Sequence, residues 1–193
     1  MANKPLPTIQ HLRQLLRYDP VSGRLFWLPR TRSMSASAHH MNTFNTSHAN
    51  KEAGTIDSRG YCLVGISVNQ SRYRLWGHRL AWAIHFGEWP NGDVDHINGN
   101  PSDNRLINLR NVSHAQNMRN RPGNKNSSSR YCGVSWDKQK SKWSADIRIP
   151  NPSGEGRGRK KHLGRYDMEC EAAAAYNSAA LEHHGEFARL NKL

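Results

Sequence analysis

The apolar positions near the N-terminus follow the period of a helix and then that of a strand. Four of them share one helix face, namely Ile9, Leu12, Leu15 and Leu16. Thr8 precedes them as a good N-cap, so we predict a helix over 9–18. Turn residues follow from Asp19 to Gly23, and the next apolar run predicts a strand over 24–28.

Residues 29–53 show no clear hydrophobic period and are rich in Ser, His, Asn and Ala. We therefore predict a long polar loop, and loops of this length are commonly functional or mobile. Three histidines lie in it, His39, His40 and His48. They are expected to be solvated loop residues.

Two strand-like runs follow residue 59. They span 60–68 and 72–76 and are rich in apolar and aromatic residues. The short polar segment 69–71 separates them, so the pattern predicts a β-hairpin.

A helical period returns over 78–86. Gly87 follows this run and is a good C-terminal stop for a helix. The two histidines of the run, His78 and His85, are expected to pack on the helix or cap it.

Three further strand-like runs lie near the C-terminus, at 131–137, 142–149 and 160–166. In the middle run one parity is apolar, with Trp143, Ala145, Ile147 and Ile149. We expect that face to be buried, with Trp143 in the core, and the opposite face to be open. An Ala-rich helix is predicted after them, capped by Asp167, running to His184 and stopped by Gly185.

The charge of the chain points to a polyanionic partner. Lys and Arg number 28 against 15 Asp and Glu, which gives a net charge of +13 and a pI near 10.2. Basic residues are in excess in the N-terminal, middle and C-terminal parts alike, which favours a long nucleic-acid footprint over a basic tail. Mean hydropathy is −0.86, so a modest core is expected.

Cysteine usage and hydropathy indicate the cellular compartment. The three cysteines include no CxxC pair, so neither a disulfide framework nor a Cys-rich zinc site is indicated. No apolar signal region or membrane-length stretch is seen. We expect a soluble, cytoplasmic protein without a membrane partner, and a monomer.

The stretch VDHINGNPSDNRLINLRNVSHAQNMRN carries the first candidate chemistry. Asp95 and His96 end a short strand, turn residues follow, and 109–112 can be the return strand. Ser113 is a good N-cap for a helix through residue 120. A fold of this kind would bring Asn117 back against the Asp95–His96 pair.

These residue types suit phosphodiester hydrolysis. Mg²⁺ prefers oxygen ligands, and Asp95 and Asn117 offer a carboxylate and an amide oxygen. His96 would deprotonate the attacking water near neutral pH. Neighbouring strand residues point to opposite faces, so Asp95 and His96 reach one point only if the strand ends there.

The segment HRLAW…GEWP…VDHINGNPSDNRLINLRNVSHAQN resembles phage and intron-type HNH endonucleases over about residues 54–120. The resemblance implies a ββα-metal finger that uses a divalent metal, Mg²⁺ or Mn²⁺. It makes Asp95 and Asn117 the metal ligands and His96 the general base. Asn108 would hydrogen-bond the loop backbone and orient the base.

Three further points qualify this assignment. Asn104 is expected to brace the turn, and His114 to serve as a ligand or a phosphate contact. The third letter of the family name, His, is Asn117 here. Each residue alone also fits an ordinary turn or helix cap, so the case rests on their order and spacing together.

Residues 127–191 resemble the DNA-binding domain of plant ethylene-response factors, the APETALA-two type, which also occurs beside phage HNH nucleases. The pattern comprises Gly-Val, WSADIR, LGRY, the Ala-rich helix and HGEFARLN. The resemblance implies a three-stranded antiparallel sheet backed by one helix, with strand residues in contact with DNA. Ser135 stands where such domains often have Arg, so base specificity does not carry over.

The candidate DNA contacts are the basic and aromatic residues near these strands. They are Arg130, Trp136, Lys138, Lys140, Lys142, Arg148, Lys160 and Lys161. A solvated basic face would look the same from sequence, but basic residues clustered on three strands favour DNA.

The sequence thus predicts an α+β protein with a ββα-metal HNH module and a three-stranded antiparallel sheet packed on one helix. Its parts are an N-terminal accessory segment (1–53), an HNH nuclease domain (54–120), a linker (121–130) and an ethylene-response-factor-like DNA-binding domain (131–193).

The predicted function is metal-dependent cleavage of double-stranded DNA, of homing or mobile-element type, in a bacterial host cell if phage-encoded. The alternative is a DNA-binding transcriptional regulator with an inactive HNH finger. The joint presence of Asp95, His96 and Asn117 argues against that alternative. An RNA-binding module is disfavoured because no aromatic platform for bases is evident.

Overall fold

A computed structural model describes residues 5–68, 71–119, 127–151 and 158–193. Helices and strands are both present, as predicted for an α+β protein. The chain divides into two compact units, Met1–Asn111 and Val112–Leu193. Each unit has a buried core of its own.

The first unit contains three α-helices, two short 3-10 helices (Arg32–Met34 and Leu106–Asn108) and three small sheets within its described residues. The α-helices are α1 (Ile9–Leu15), α2 (Ala38–His48) and α3 (Gly77–Phe86). The strands are β1 (Leu16–Asp19), β2 (Arg24–Trp27), β3 (Thr55–Ile56), β4 (Cys62–Val68), β5 (Ser71–Trp76), β6 (Asp93–His96) and β7 (Leu109–Val112), the last reaching the unit boundary. They form β1-β2, β3-β4-β5 and β6-β7, and the first two of these sheets are antiparallel.

The core of the first unit joins the N-terminal segment to the rest. Its largest fully buried side chains are Leu12 and Leu16 from that segment and Val64 and Leu80 from beyond it. The segment 1–53, expected to be accessory, thus shares one hydrophobic core with the residues that follow it.

Helix α1 begins as predicted, with the Thr8 side chain accepting a hydrogen bond from His11 N. It ends at Leu15, earlier than predicted, and the chain continues as β1. The strand conformation is favoured over a longer helix here because it buries Leu16 and Tyr18 at alternate positions.

The long polar loop predicted over 29–53 is wrong, because helix α2 occupies much of it. Ser37 Oγ accepts from His40 N as an N-cap. The Asn45 side chain binds both backbone groups of Arg30. No residue of α2 is buried, so the helix has no hydrophobic stripe for a sequence pattern to reveal.

The predicted hairpin and the helix after it are confirmed in β4, β5 and α3. Residues 69–70 of the hairpin turn lie outside the described residues. Gly87 ends α3 in a left-handed conformation, with φ +80°.

The second unit holds the predicted three-stranded sheet and its helix. The strands are β8 (Val134–Asp137), β9 (Lys142–Ile149) and β10 (Arg159–Tyr166), and the helices are α4 (His114–Arg119) and α5 (Glu169–His184). The sheet is antiparallel in the order β10-β9-β8, and α5 packs on one of its faces.

The apolar face of β9 packs as predicted, whereas Ser144 on the opposite face, expected to be open, is also buried. Ala145 and Ile147 are buried under α5, and Trp143 packs against the same core. The contact between sheet and helix is close at Gly133, where φ is +72° and a Cβ would clash with the Tyr176 ring.

The predicted cap of α5 is wrong. The helix begins at Glu169, and the Glu171 carboxylate accepts a hydrogen bond from Met168 N. Asp167 instead forms an ion pair at 3.1 Å with Lys142, the first residue of β9, so its side chain binds the sheet. Gly185 ends the helix as predicted.

Most of the predicted linker, 121–126, lies outside the described residues. Its last residues contact both the C-terminal sheet and α5, because Ser128 Oγ accepts from Trp136 N of β8 at 2.8 Å and Ser129 Oγ donates to Glu169 of α5 at 2.6 Å. None of the described helices is long and apolar enough to cross a membrane.

Candidate active site and nucleic-acid interface

Asp95 lies on β6 and forms an ion pair with Arg110 on β7. Arg110 Nη2 is 2.8 Å and Nε is 2.9 Å from Asp95 Oδ2. The Asp95 side chain is only 8% exposed, and the Arg110 side chain is 15% exposed. Sequence reasoning missed Arg110, although the predicted pairing of the two strands could have placed it opposite Asp95.

His96 is buried at the end of β6 and is bound by Asn104. Its Nε2 lies 3.0 Å from Asn104 Oδ1. An amide oxygen only accepts, so this contact requires hydrogen on Nε2 and leaves the lone pair of the neutral ring on Nδ1. Burial lowers the pKa of His96 below its usual value, which favours the neutral ring.

Asn108 hydrogen-bonds the loop backbone, as predicted. Its Oδ1 accepts from Asn98 N at 3.0 Å, and its Nδ2 donates to Asp103 O at 2.7 Å. The predicted orienting contact to the base comes instead from Asn104. Asn108 therefore holds the loop as expected, and Asn104, which was expected to brace the turn, contacts the ring of His96.

The loop is further stiffened by a local ion pair. Arg105 binds both carboxylate oxygens of Asp103, at 2.7 and 2.6 Å. This interaction lowers the pKa of Asp103 to about 2. Asp103 also accepts a hydrogen bond from Asn98 Nδ2, so the turn is a network around an ionised carboxylate.

Aromatic side chains surround His96. The His78 ring lies 5.1 Å from it edge-on, and the Tyr61 ring lies 6.0 Å away. Burial lowers the pKa of His78 to about 3, and His78 Nδ1 has no hydrogen-bond partner in the described part of the chain. His78, expected to serve only the helix, is thus a neutral neighbour of the proposed base.

Asn117 and His114 lie on α4, in the second unit. The predicted N-cap of α4 is confirmed, since Ser113 Oγ accepts from Gln116 N and Gln116 Oε1 accepts from Ser113 N. His114 is exposed and Asn117 is half-buried.

The metal ligands remain a prediction. Among the described residues, no three His, Cys, Asp or Glu side chains are grouped to hold a metal ion. The predicted ligands Asp95 and Asn117 each offer an oxygen donor, a chemistry that fits Mg²⁺, which keeps several waters and takes few protein ligands.

The C-terminal sheet has a charged face opposite α5, which we call the open face. Strand parity and register place on it Lys142, Arg148, Lys160, His162 and Arg165. Its two carboxylates are paired, Asp146 with Lys160 and His162, and Asp137 with Arg165. Sequence reasoning missed Arg165 and His162, which the register alone brings onto this face.

Two candidate DNA contacts lie elsewhere. Lys161 has the opposite parity, and its Nζ lies 3.4 Å from His183 on α5. Trp136 shares the side of Trp143, with ring centroids 5.0 Å apart, although it is 39% exposed.

The remaining candidates flank the sheet. Lys138 and Lys140 are exposed in the turn between β8 and β9. Arg130 donates to the Tyr131 hydroxyl at 2.7 Å and lies over its ring. Ser135 lies on the open face opposite Ser144.

Comparisons relate this chain to several known proteins. A family model described as HNH endonuclease matches residues 76–119. Protein 3.8 of Escherichia phage T7 is 33% identical over 113 residues, which cover 58% of this chain and 87% of that protein. Dehydration-responsive element-binding protein 2D of Arabidopsis thaliana is 43% identical over 77 residues, covering 38% of this chain and 33% of that protein.

A solved structure of the HNH homing endonuclease I-HmuI, described for DNA binding and cleavage, aligns with a TM-score of 0.42. The identity is 22%, and the alignment covers 92% of this chain and 90% of that one. On the sequence matches, the chain belongs to the same family as Protein 3.8 of phage T7 and carries an HNH endonuclease domain.

Proposed function

We propose that this protein is a metal-dependent DNA endonuclease of homing or mobile-element type that is targeted by its C-terminal sheet. The observation that carries the proposal is a buried, neutral histidine, His96, held by Asn104 beside Asp95 within the HNH match. The products would be 5′-phosphate and 3′-hydroxyl ends. Double-stranded DNA is the proposed partner, and a monomer is the proposed state.

In the proposed reaction His96 acts as the general base. Its Nδ1 takes a proton from water as the water oxygen bonds to phosphorus and the bond from phosphorus to the 3′ oxygen breaks. A neutral ring is required at the start, and burial of His96 supplies it. A divalent ion, Mg²⁺ or Mn²⁺, held by Asp95 and Asn117 would stabilise charge on the phosphate and on the departing oxygen.

The open face of the C-terminal sheet is the proposed DNA-binding surface. Lys142, Arg148 and Lys160 all lie on it, with Arg148 and Lys160 opposite each other on neighbouring strands, and two- or three-stranded ribbons can enter the major groove. The similarity to a plant protein named for binding a DNA element supports this assignment. Ser135 lies on the same face, at a position where the plant domains often have Arg. The base preference is therefore expected to differ from that of those domains.

The test is cleavage of DNA from the source genome by the purified full-length protein. We expect cutting with Mg²⁺ or Mn²⁺, none with EDTA, and ligatable 5′-phosphate ends on sequencing. His96→Ala should not cut, whereas the control His39→Ala, at an exposed position of α2, should cut normally. Retained duplex binding without cleavage under any metal condition would support the regulator with an inactive finger.

A further inference from the structure

Asn104 is the point at which two distant parts of the first unit meet. Its side-chain Oδ1 binds His96 Nε2 at 3.0 Å, and its backbone oxygen accepts from the Tyr18 hydroxyl at 2.7 Å. Tyr18 lies 86 residues earlier in the chain, on β1. Tyr18, Asn104 and His96 are all buried. One residue therefore couples the N-terminal hairpin to the proposed base.

The turn of that hairpin binds the same loop a second time. Leu106 N donates to Pro20 O at 3.0 Å. Gly23, with φ +75°, lies so close that a Cβ there would be 2.6 Å from the carbonyl carbon of Asn104 and would clash with Arg105 N. The backbone contact at Gly23 and the hydrogen bonds of Tyr18 and Pro20 thus hold 104–106 from one side.

The hairpin itself is firmly anchored. Leu16 and Leu25 from its two strands are buried in the core of the first unit. Asp19 closes the turn, accepting from Val21 N at 3.0 Å and from Ser22 Oγ at 2.6 Å. Such a support can hold the loop in one position.

We propose that the N-terminal β1-β2 hairpin is a positioning clamp for His96, acting through the Tyr18–Asn104 hydrogen bond. The proposal rests on the function assigned to His96 above. Asn104 fixes the ring tautomer and its direction, which leaves Nδ1 as the atom that receives the proton. Tyr18 and Asn104 are positioning residues, because neither is assigned a contact with substrate.

The Tyr18 hydroxyl is suited to donate its hydrogen bond to the Asn104 backbone oxygen at every pH at which the protein works. Burial, with nearby Asp19 and Asp103, raises the pKa of Tyr18 well above its usual value. The hydroxyl therefore keeps its proton throughout the working range of pH. The Asn104 backbone oxygen, for its part, can only accept.

The test compares conservative variants of the full-length protein. Asn104→Leu has a similar shape and loses the acceptor, Asn104→Asp keeps an acceptor, and Tyr18→Phe loses only the hydroxyl. Tyr73→Phe is the matched control, since the Tyr73 hydroxyl also donates to a backbone oxygen, that of Pro5, at 3.1 Å. Each variant is measured by single-turnover cleavage at saturating DNA, by duplex binding in EDTA, and by ¹⁵N NMR of the His96 ring.

We expect Asn104→Leu to lower the cleavage rate about 10–100-fold with unchanged duplex affinity, as for other residues that orient a catalytic histidine. Asn104→Asp should restore part of the rate, Tyr18→Phe should lower it less than Asn104→Leu, and Tyr73→Phe should match the parent. The fraction of His96 with hydrogen on Nε2 should fall in Asn104→Leu and Tyr18→Phe only.

The NMR measurement separates this proposal from the proposed function. A parent that never cuts would overturn the nuclease assignment, while the His96 tautomer would still report on the clamp. An unchanged tautomer in both Asn104→Leu and Tyr18→Phe would overturn the clamp, even if cleavage fell. So would equal losses of cleavage in Tyr18→Phe and Tyr73→Phe.

Discussion

Arg110 Nη2 lies 2.8 Å from Asp95 Oδ2, and this ion pair joins β7 to β6 at the proposed active site. Both side chains are largely withdrawn from water. Breaking such a pair leaves a buried charge without its partner, which costs far more than losing a surface pair. The carboxylate proposed to bind metal is therefore also part of what holds the finger together.

Replacing Arg110 with Leu should lower the free energy of unfolding by about 3–5 kcal/mol. The double variant Asp95→Asn with Arg110→Leu should recover much of that loss, because no buried charge remains. Denaturant unfolding without metal measures both. Arg24→Ala is the control: its pair with Glu52 is 3.6 Å long with side chains 61% and 57% exposed, and it should cost at most about 1 kcal/mol. Equal losses at the two sites would contradict the buried-pair interpretation.

Replacing His96 with Ala should lower cleavage about 10²–10⁴-fold, because it removes the proton acceptor. Duplex binding should stay close to that of the parent, since the proposed DNA contacts lie on the C-terminal sheet. Cleavage rate and duplex affinity are measured side by side. Near-normal cutting would remove His96 from the mechanism and direct attention to His114.

Replacing Asp95 or Asn117 with Ala should weaken metal dependence and cleavage together, because each is proposed to supply one ligand oxygen. Titration of Mg²⁺ and Mn²⁺ against the cleavage rate should show a raised half-saturating concentration and a lower maximum. If excess Mn²⁺ makes both variants as active as the parent is at low metal, these residues are not the ligands.

His78 should make stability depend on pH. Its pKa is about 3 in the folded chain, against an ordinary value of 6.5. Between these values the unfolded chain binds a proton that the folded chain excludes. The contribution of His78 to the free energy of unfolding should therefore fall by about 1.4 kcal/mol for each pH unit below 6.5. Above pH 6.5 this contribution should be constant.

The measurement is the unfolding free energy of the parent minus that of His78→Phe, taken between pH 5 and 7.5. This difference should shrink as the pH falls. Parallel stability curves for the parent and His78→Phe would show that His78 titrates normally.

The open face should set the salt dependence of DNA binding. Replacing Lys142, Arg148 and Lys160 with Gln should reduce the slope of log affinity against log salt by up to about 2.7, since each phosphate contact contributes roughly 0.9. Fluorescence anisotropy with a duplex over a salt series measures the slope. Lys161→Gln is the control and should change it little, because Lys161 lies on the other side of β10. A slope unchanged in the triple variant would place the DNA elsewhere.

The sequence by itself determined the elements whose signals are local. The turn residues after His96 and the cap at Ser113 predicted the order β6, β7, α4. The alternation in β9 predicted which face meets α5. These predictions hold because turn chemistry, capping and hydrophobic period act over a few neighbouring residues.

Tertiary structure alone decided the contacts of the site. Asn104 and Asn108 lie in one short aperiodic loop, and no pattern tells which of them meets His96. The choice depends on how the loop is folded and on Tyr18, whose hydroxyl reaches Asn104 from 86 residues away. Helix α2 escaped prediction for a related reason, because it is held by a cap and a few side-chain contacts instead of a buried stripe. Contacts between distant segments are set by the packing of the shared core, and that information is not present in any local stretch of the chain.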